Sequence, residues 1–126
     1  MLETGITGKR EIEVTSENTA KTVGSGELNV LATPAMIALM EETAYKSVAA
    51  ELEPGMGSVG TLMNVKHVSA TPVGMRVTCR TELTEVDGRR LVFHVEAYDE
   101  AGLVGEGTHE RFIVDNEKFQ KKADSK

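Results

Sequence analysis

The sequence predicts an α+β domain in which an antiparallel sheet covers one long helix. Three observations predict it. Good helix formers run from Thr33 to Leu52 with apolar residues at steps of three and four. After that stretch the apolar period changes from 3.6 to 2, and the alternating segments are joined by signals for tight turns. Strand, long helix and then four strands linked largely by hairpins pack most economically as two layers. With 126 residues and no internal repeat, a single domain over 1–126 is expected, large enough to bury a core without disulfides or a structural metal.

Each element has its own signal. KREIEVT, from Lys9 to Thr15, alternates as a first strand with Ile12 and Val14 pointing one way. The segment from Ser16 to Leu28 is polar and contains glycine, so it reads as a loop. Thr33 is a favoured N-cap residue, and Pro34 suits the first helical position, where its missing N–H costs nothing. Glu53-Pro54-Gly55 stops the helix. GSVGTLMNVKHV is the next strand. In GMRVTCRTEL, Met75, Val77, Cys79 and Leu83 form the apolar set, with Arg76, Thr78, Arg80 and Glu82 opposite. Asp87-Gly88 marks a hairpin, and the strand after it points Leu91, Phe93, Val95 and Ala97 inward. A turn from Asp99 to Gly102 leads to LVGEGTHERFIV, a last strand weakened by Gly105 and Gly107. The charged tail, residues 115–126, is expected to fray.

Composition narrows the function. A net charge of −6 argues against nucleic-acid binding, which needs a basic footprint. One cysteine, Cys79, excludes an intramolecular disulfide and a multi-thiolate zinc site; inside an alternating strand it reads as a small buried residue. No metal or cofactor is expected. No segment approaches the roughly 20 apolar residues of a membrane span, and MLETGITGKR lacks the apolar core of a signal peptide. The expectation is a cytoplasmic protein without membrane association.

Candidate chemistry begins with two adjacent glutamates. Ile37, Met40, Glu41, Ala44 and Val48 are joined by steps of three and four, which puts Glu41 on or beside the apolar stripe. Glu42 has Lys46 four residues on, a surface ion pair. Glu41 either reaches water from the border of the stripe or serves chemistry. His67 shares a strand face with Met63 and Val65, and is either a hydrogen-bonded border residue or a catalyst. A carboxylate on the helix, an imidazole on the covering sheet and a hydroxyl at the helix start are together the parts of an acyl-transfer site. The helix N-terminus and the glycine-bracketed Gly57-Ser58-Val59-Gly60 could stabilise an oxyanion and admit a ligand close to backbone. His94 and His109 read as surface or structural residues.

With these residues in view, the chain resembles the hotdog-fold acyl-CoA thioesterases, and most closely the fluoroacetyl-CoA thioesterase-like family. The resembling text is ATPAMIALMEE, LEPGMGSVGT, VKHVSATPVGM, DGRRL and GTHERFIV with the following EKF, nearly everything from Ala32 to Phe119. The resemblance implies a hotdog sheet wrapped around the helix. It implies catalytic Thr33, Glu41 and His67, an active-site Gly60, and Arg111 near the last strand. It also implies a homodimer with sites at the subunit interface built from both chains; pairing of dimers into a tetramer stays open. The sequence departs from the family at the link before the helix. In fluoroacetyl-specific members that link is longer and supplies aromatic residues that cover the substrate, whereas Lys21 to Leu31 is short and has none. Fluoroacetyl specificity is therefore not carried over, and the substrate is an unspecified acyl-CoA, with CoA as part of the substrate.

The expected reaction is thioester hydrolysis, with Glu41 activating water or attacking directly, His67 orienting or protonating, and Thr33 bonding the carboxylate or taking part in acyl transfer. Arg76, Arg89, Arg90 and the C-terminal lysines are candidates to meet the CoA phosphates. Two other readings stand beside it: a hotdog hydratase or dehydratase acting on enoyl or hydroxyacyl thioesters, and a non-catalytic acyl-CoA-binding domain.

Overall fold

The computed structural model describes Met1–Lys126. Its elements are β1 (Thr7–Glu13), α1 (Ala20–Val23), α2 (Thr33–Val48) followed by a 3₁₀ turn (Ala49–Glu51), β2 (Met56–His67), β3 (Arg76–Asp87), β4 (Arg90–Asp99), β5 (Gly102–Asp115) and α3 (Asn116–Asp124). All strand pairs are antiparallel, in the order β1-β3-β4-β5-β2. One face of this sheet packs on α2, the α+β architecture expected. No helix is long and apolar enough to cross a membrane.

The core is the set that alternation selects. Val77, Cys79 and Leu83 on β3 and Leu91, Phe93, Val95 and Ala97 on β4 are fully buried, beneath Met36, Met40, Ala44 and Val48 of α2. Burial pushes the Cys79 thiol up to about 11, as suits a residue packed like a small hydrophobe. Each Val, Leu, Met or Phe among them contributes about 1.5–3 kcal/mol by leaving water.

Four local expectations change. The first strand is Thr7–Glu13, displaced two residues toward the N-terminus because its register is set by pairing Thr7 with Glu82 through to Glu13 with Arg76. Thr33 is the first helical residue, not the cap: Ala32 is the N-cap, fully buried and without a side-chain cap bond. Ala32 is held by its own N–H to Asn18 O, and that buried position frees the Thr33 hydroxyl for another partner. The loop before α2 contains the short helix α1, capped by the Thr19 hydroxyl. The charged tail forms α3, because the Asp115 side chain caps it at Lys118 N and Glu117 pairs with Lys121.

Gly105 and Gly107 do not weaken β5, which runs unbroken over 14 residues. They let neighbours close in: a Cβ on Gly105 would lie 2.6 Å from Met36 Sδ, and one on Gly107 would lie 2.6 Å from Val65 Cα.

Candidate functional site

The buried stripe of α2 is Met36, Leu39, Met40, Thr43, Ala44 and Val48, one residue earlier than the Ile37-Glu41 line. Glu41 therefore stands at its border, half-exposed, on the side facing β2 and β5. Glu42, as expected, is a surface residue, bonded to Lys46 at 3.3 Å and also to Arg10 at 2.9 Å.

Opposite Glu41, strand β2 does something a regular strand cannot. Gly60 and His67 are seven residues apart, which in unbroken alternation would put them on opposite faces. The register slips between Gly60 and Leu62, leaving Thr61 as an extra residue, and this bulge reverses the parity. Ser58 and Gly60 before it, and Met63, Val65 and His67 after it, all face α2. Gly60 also lets the carboxylate keep this place, since a Cβ there would lie 2.5 Å from Glu41 Oε2.

Around Glu41 the sheet supplies a cation. Arg111 on β5, paired in register with Gly60, is buried and sends Nη1 to Glu41 Oε2 at 3.4 Å. Its other donors are used as well: Nε donates to Ser58 Oγ at 2.8 Å, Nη2 to Ser58 O at 2.8 Å, and Nη1 to His109 Nε2 at 3.2 Å. The guanidinium carbon lies 5.6 Å from the centre of the Tyr45 ring. Burial lowers the pKa of Arg111 and Glu41 opposes that shift. Glu41 Oε1 has no hydrogen-bond partner in the chain, and Glu41 lines a surface cavity of about 240 Å³ together with Gly60, Thr61, Leu62, Met63 and His109.

Of the two readings of His109, surface or structural, burial removes the first: it is 1% exposed and hydrogen-bonded to Arg111, the carboxylate's partner. A signal for this was present. Alternation along GEGTHERFI puts Gly105, Gly107, His109 and Arg111 on one face, and the neighbouring Glu106 and Glu110 on the other. His94 is exposed and bonds Glu96 at 2.8 Å, in line with a surface role.

A second cluster lies at the start of α2. Thr33 Oγ1 and His67 Nδ1 share a 2.8 Å hydrogen bond, beside a cavity of about 280 Å³ that Leu31, Val30 and the segment Val68–Ala70 also line. Within one chain Thr33 bonds His67 and does not reach the Glu41 carboxylate, one of the two roles expected for it. His67 Nε2 is buried with no hydrogen-bond partner. Burial lowers the pKa of His67, with the Ser69 backbone opposing, so the ring is neutral near pH 7. Within one chain the two clusters are apart: eight residues of helix separate Thr33 from Glu41, about 12 Å of rise.

No three His, Cys, Asp or Glu side chains form a metal-ligand set. Of the basic residues considered for CoA phosphates, Arg76 is engaged by Glu11 and Arg90 by Glu85 and Glu110. Arg89 is exposed and free of ion pairs.

Residues 14–117 match the family described as fluoroacetyl-CoA-specific thioesterase. A fluoroacetyl-CoA thioesterase from Streptantibioticus cattleyicolor is 46% identical over 97 residues, spanning 77% of this chain and 70% of that protein. The solved structure of the fluoroacetyl-CoA thioesterase FlK superposes with a TM-score of 0.94 at 38% identity, over 100% of this chain and 98% of the other. A thioesterase superfamily member from Thermus thermophilus does so at 0.90 and 29% identity, over 99% and 93%.

Proposed function

The chain belongs to the fluoroacetyl-CoA-specific thioesterase family and hydrolyses an acyl-CoA thioester to free acid and CoA; from that premise we propose that Glu41 is the general base of this reaction. The observation that carries the assignment is the asymmetry of its carboxylate. Oε2 is held by Arg111 over Gly60, while Oε1 is unpaired, in a residue that lines an open surface cavity. Such a group takes a proton from water as the water oxygen adds to the thioester carbonyl carbon. Collapse then breaks the C–S bond, and the proton passes from Glu41 to the departing sulfur. His67 stays neutral and, with Thr33, orients the thioester instead of acting as a charged acid. A hydratase would use the same residue types on the carbon skeleton, but the family's reaction is at the carbonyl.

We infer further that the working unit is a homodimer whose sites take Glu41, Gly60 and Arg111 from one protomer and Thr33 and His67 from its partner. Two observations support this. The two clusters lie too far apart in one chain to meet on one carbonyl, and β2, which carries a residue of each, is an edge strand with one side unpaired. Antiparallel pairing of β2 with a second copy about a two-fold axis near its middle brings the His67 end of one strand to the Gly60 end of the other. The acyl group we propose is short. Fluoroacetyl is included, with weak discrimination against acetyl because the Lys21–Leu31 link has no aromatic residue.

One experiment covers these points. Glu41→Gln and Thr33→Ala are assayed for CoA release from fluoroacetyl-, acetyl- and propionyl-CoA, separately and after being unfolded and refolded together. Glu41→Gln is expected to lose about 10²-fold or more in kcat. The co-refolded mixture is expected to regain activity, since a mixed dimer holds one intact site. Full activity in Glu41→Gln rejects the base assignment, no regain in the mixture rejects the shared site, and a large preference for fluoroacetyl rejects the weak discrimination.

A further inference from the structure

The polar contacts of His109 determine which of its nitrogens carries a proton. Nδ1 lies 2.9 Å from Leu62 O, which can only accept, so Nδ1 holds the hydrogen. Nε2 lies 3.2 Å from Arg111 Nη1, which can only donate, so Nε2 presents its lone pair. The ring is thus the neutral Nδ1–H tautomer. It is held in place by Phe93, whose ring is stacked on it at 6.1 Å between centroids.

Arg111 Nη1 has two hydrogens, one directed at His109 and the other at Glu41. Nε and Nη2 are anchored on Ser58. The guanidinium is therefore fixed on three sides, and its remaining direction is the carboxylate.

We propose that His109 is a positioning residue for hydrolysis: as a neutral acceptor it aims Arg111 Nη1 so that the guanidinium holds Glu41 Oε2 over Gly60 and leaves Oε1 free for water. The proposal rests on the assignment of Glu41 as base. Protonating His109 would set an N–H against the N–H of Arg111, turn the fork away and release the carboxylate. The charged and titratable groups facing this assembly are Arg111 on the same strand and Glu41 and Tyr45 from α2. Strand β2 presents the Leu62 carbonyl and Met63, and β4 presents Phe93, none of them charged. Burial lowers the pKa of His109 from its ordinary 6.5; the Leu62 carbonyl opposes this, the Arg111 charge adds to it, and Glu41 opposes it. The neutral form therefore holds at neutral pH, and the fork is lost on the acid side.

The test combines spectroscopy on the unmodified protein with two variants. Nitrogen-15 NMR of the three imidazoles at pH 7 is expected to show His109 neutral with hydrogen on Nδ1. His109→Ala is expected to lower kcat about 10- to 10²-fold with KM little changed, the scale of a misplaced catalytic group. His109→Gln, whose amide oxygen can take the Nε2 position and cannot be protonated, is expected to recover most of that loss and to move the acid limb of kcat to lower pH. A ring with hydrogen on Nε2, or equal losses in both variants with an unmoved acid limb, overturns the proposal. If Glu41→Gln stays active while the tautomer is as assigned, the base assignment fails, and the catalytic role of His109 is overturned with it.

Discussion

Glu41 and Glu42 are chemically the same residue placed 100° apart on a helix, and their surroundings separate them. Glu42 meets Arg10 and Lys46 in water, where such pairs contribute little. Glu41 meets a buried guanidinium across a glycine. Periodicity alone put Glu41 at the border of the apolar stripe, and the structure keeps it there. The partner on β5 is what makes the border position useful. Gly60 is the sharpest residue-scale test. In Gly60→Ala the new methyl collides with Glu41 Oε2 and otherwise makes only ordinary contacts with His109 and Arg111. The carboxylate must swing away while the fold has little to lose. Steady-state kinetics are expected to show kcat down about 10²-fold, with an unchanged thermal midpoint; wild-type turnover in this variant would mean that hydrolysis does not need the carboxylate there.

Strands β2 and β5 carry most of the site, and each uses a departure from regular structure. The bulge at Thr61 brings Gly60 and His67 to one face, and nothing in GSVGTLMNVKHV announced it, since the alternation of Met63, Val65 and His67 is regular on its own. A strand glycine is commonly a weak point, and the glycines of β5 are not. Here Gly107 admits the backbone of Asn64 and Val65. Its replacement by alanine is expected to force β2 off β5, destabilising the protein by about 1–3 kcal/mol and lowering activity with it. Urea titration checks the first and CoA release the second. Retained stability would show that the strands can separate without cost. At the start of α2, Thr33 looked like a cap because threonine before proline commonly is one. Tertiary contacts buried Ala32 in that place and gave the threonine to His67.

For the molecule as a whole, two histidines, His109 buried and His67 half-buried, link stability to pH. Both His67 and His109 have folded-state pKa values below the ordinary 6.5. The unfolded chain therefore takes up protons first as pH falls. Their contribution to stability is complete above about pH 6.5 and is lost as pH drops toward and through the folded values. Scanning calorimetry is expected to show the midpoint falling from pH 7.5 to 5.5, and falling less steeply in His109→Gln. A midpoint that rises over that interval would contradict the neutral state of the two rings.

The sequence by itself determined the layers, the long helix, the inward sets of β3 and β4, the family, and the separation of a surface Glu42 from a border Glu41. These depend on local period, turn residues and text, all of which lie within short stretches of chain. Only the tertiary structure decided that Thr33 answers His67, that a bulge turns Gly60 inward, and that Arg111 reaches Glu41. It also separated the Thr33–His67 cluster from Glu41 within one chain, the observation on which the proposed shared site rests. Each of these is a meeting between residues 34 to 70 positions apart or a one-residue slip of register. Alternation in a single strand is blind to both, because only the neighbouring strand and the helix above it fix which side chain faces which.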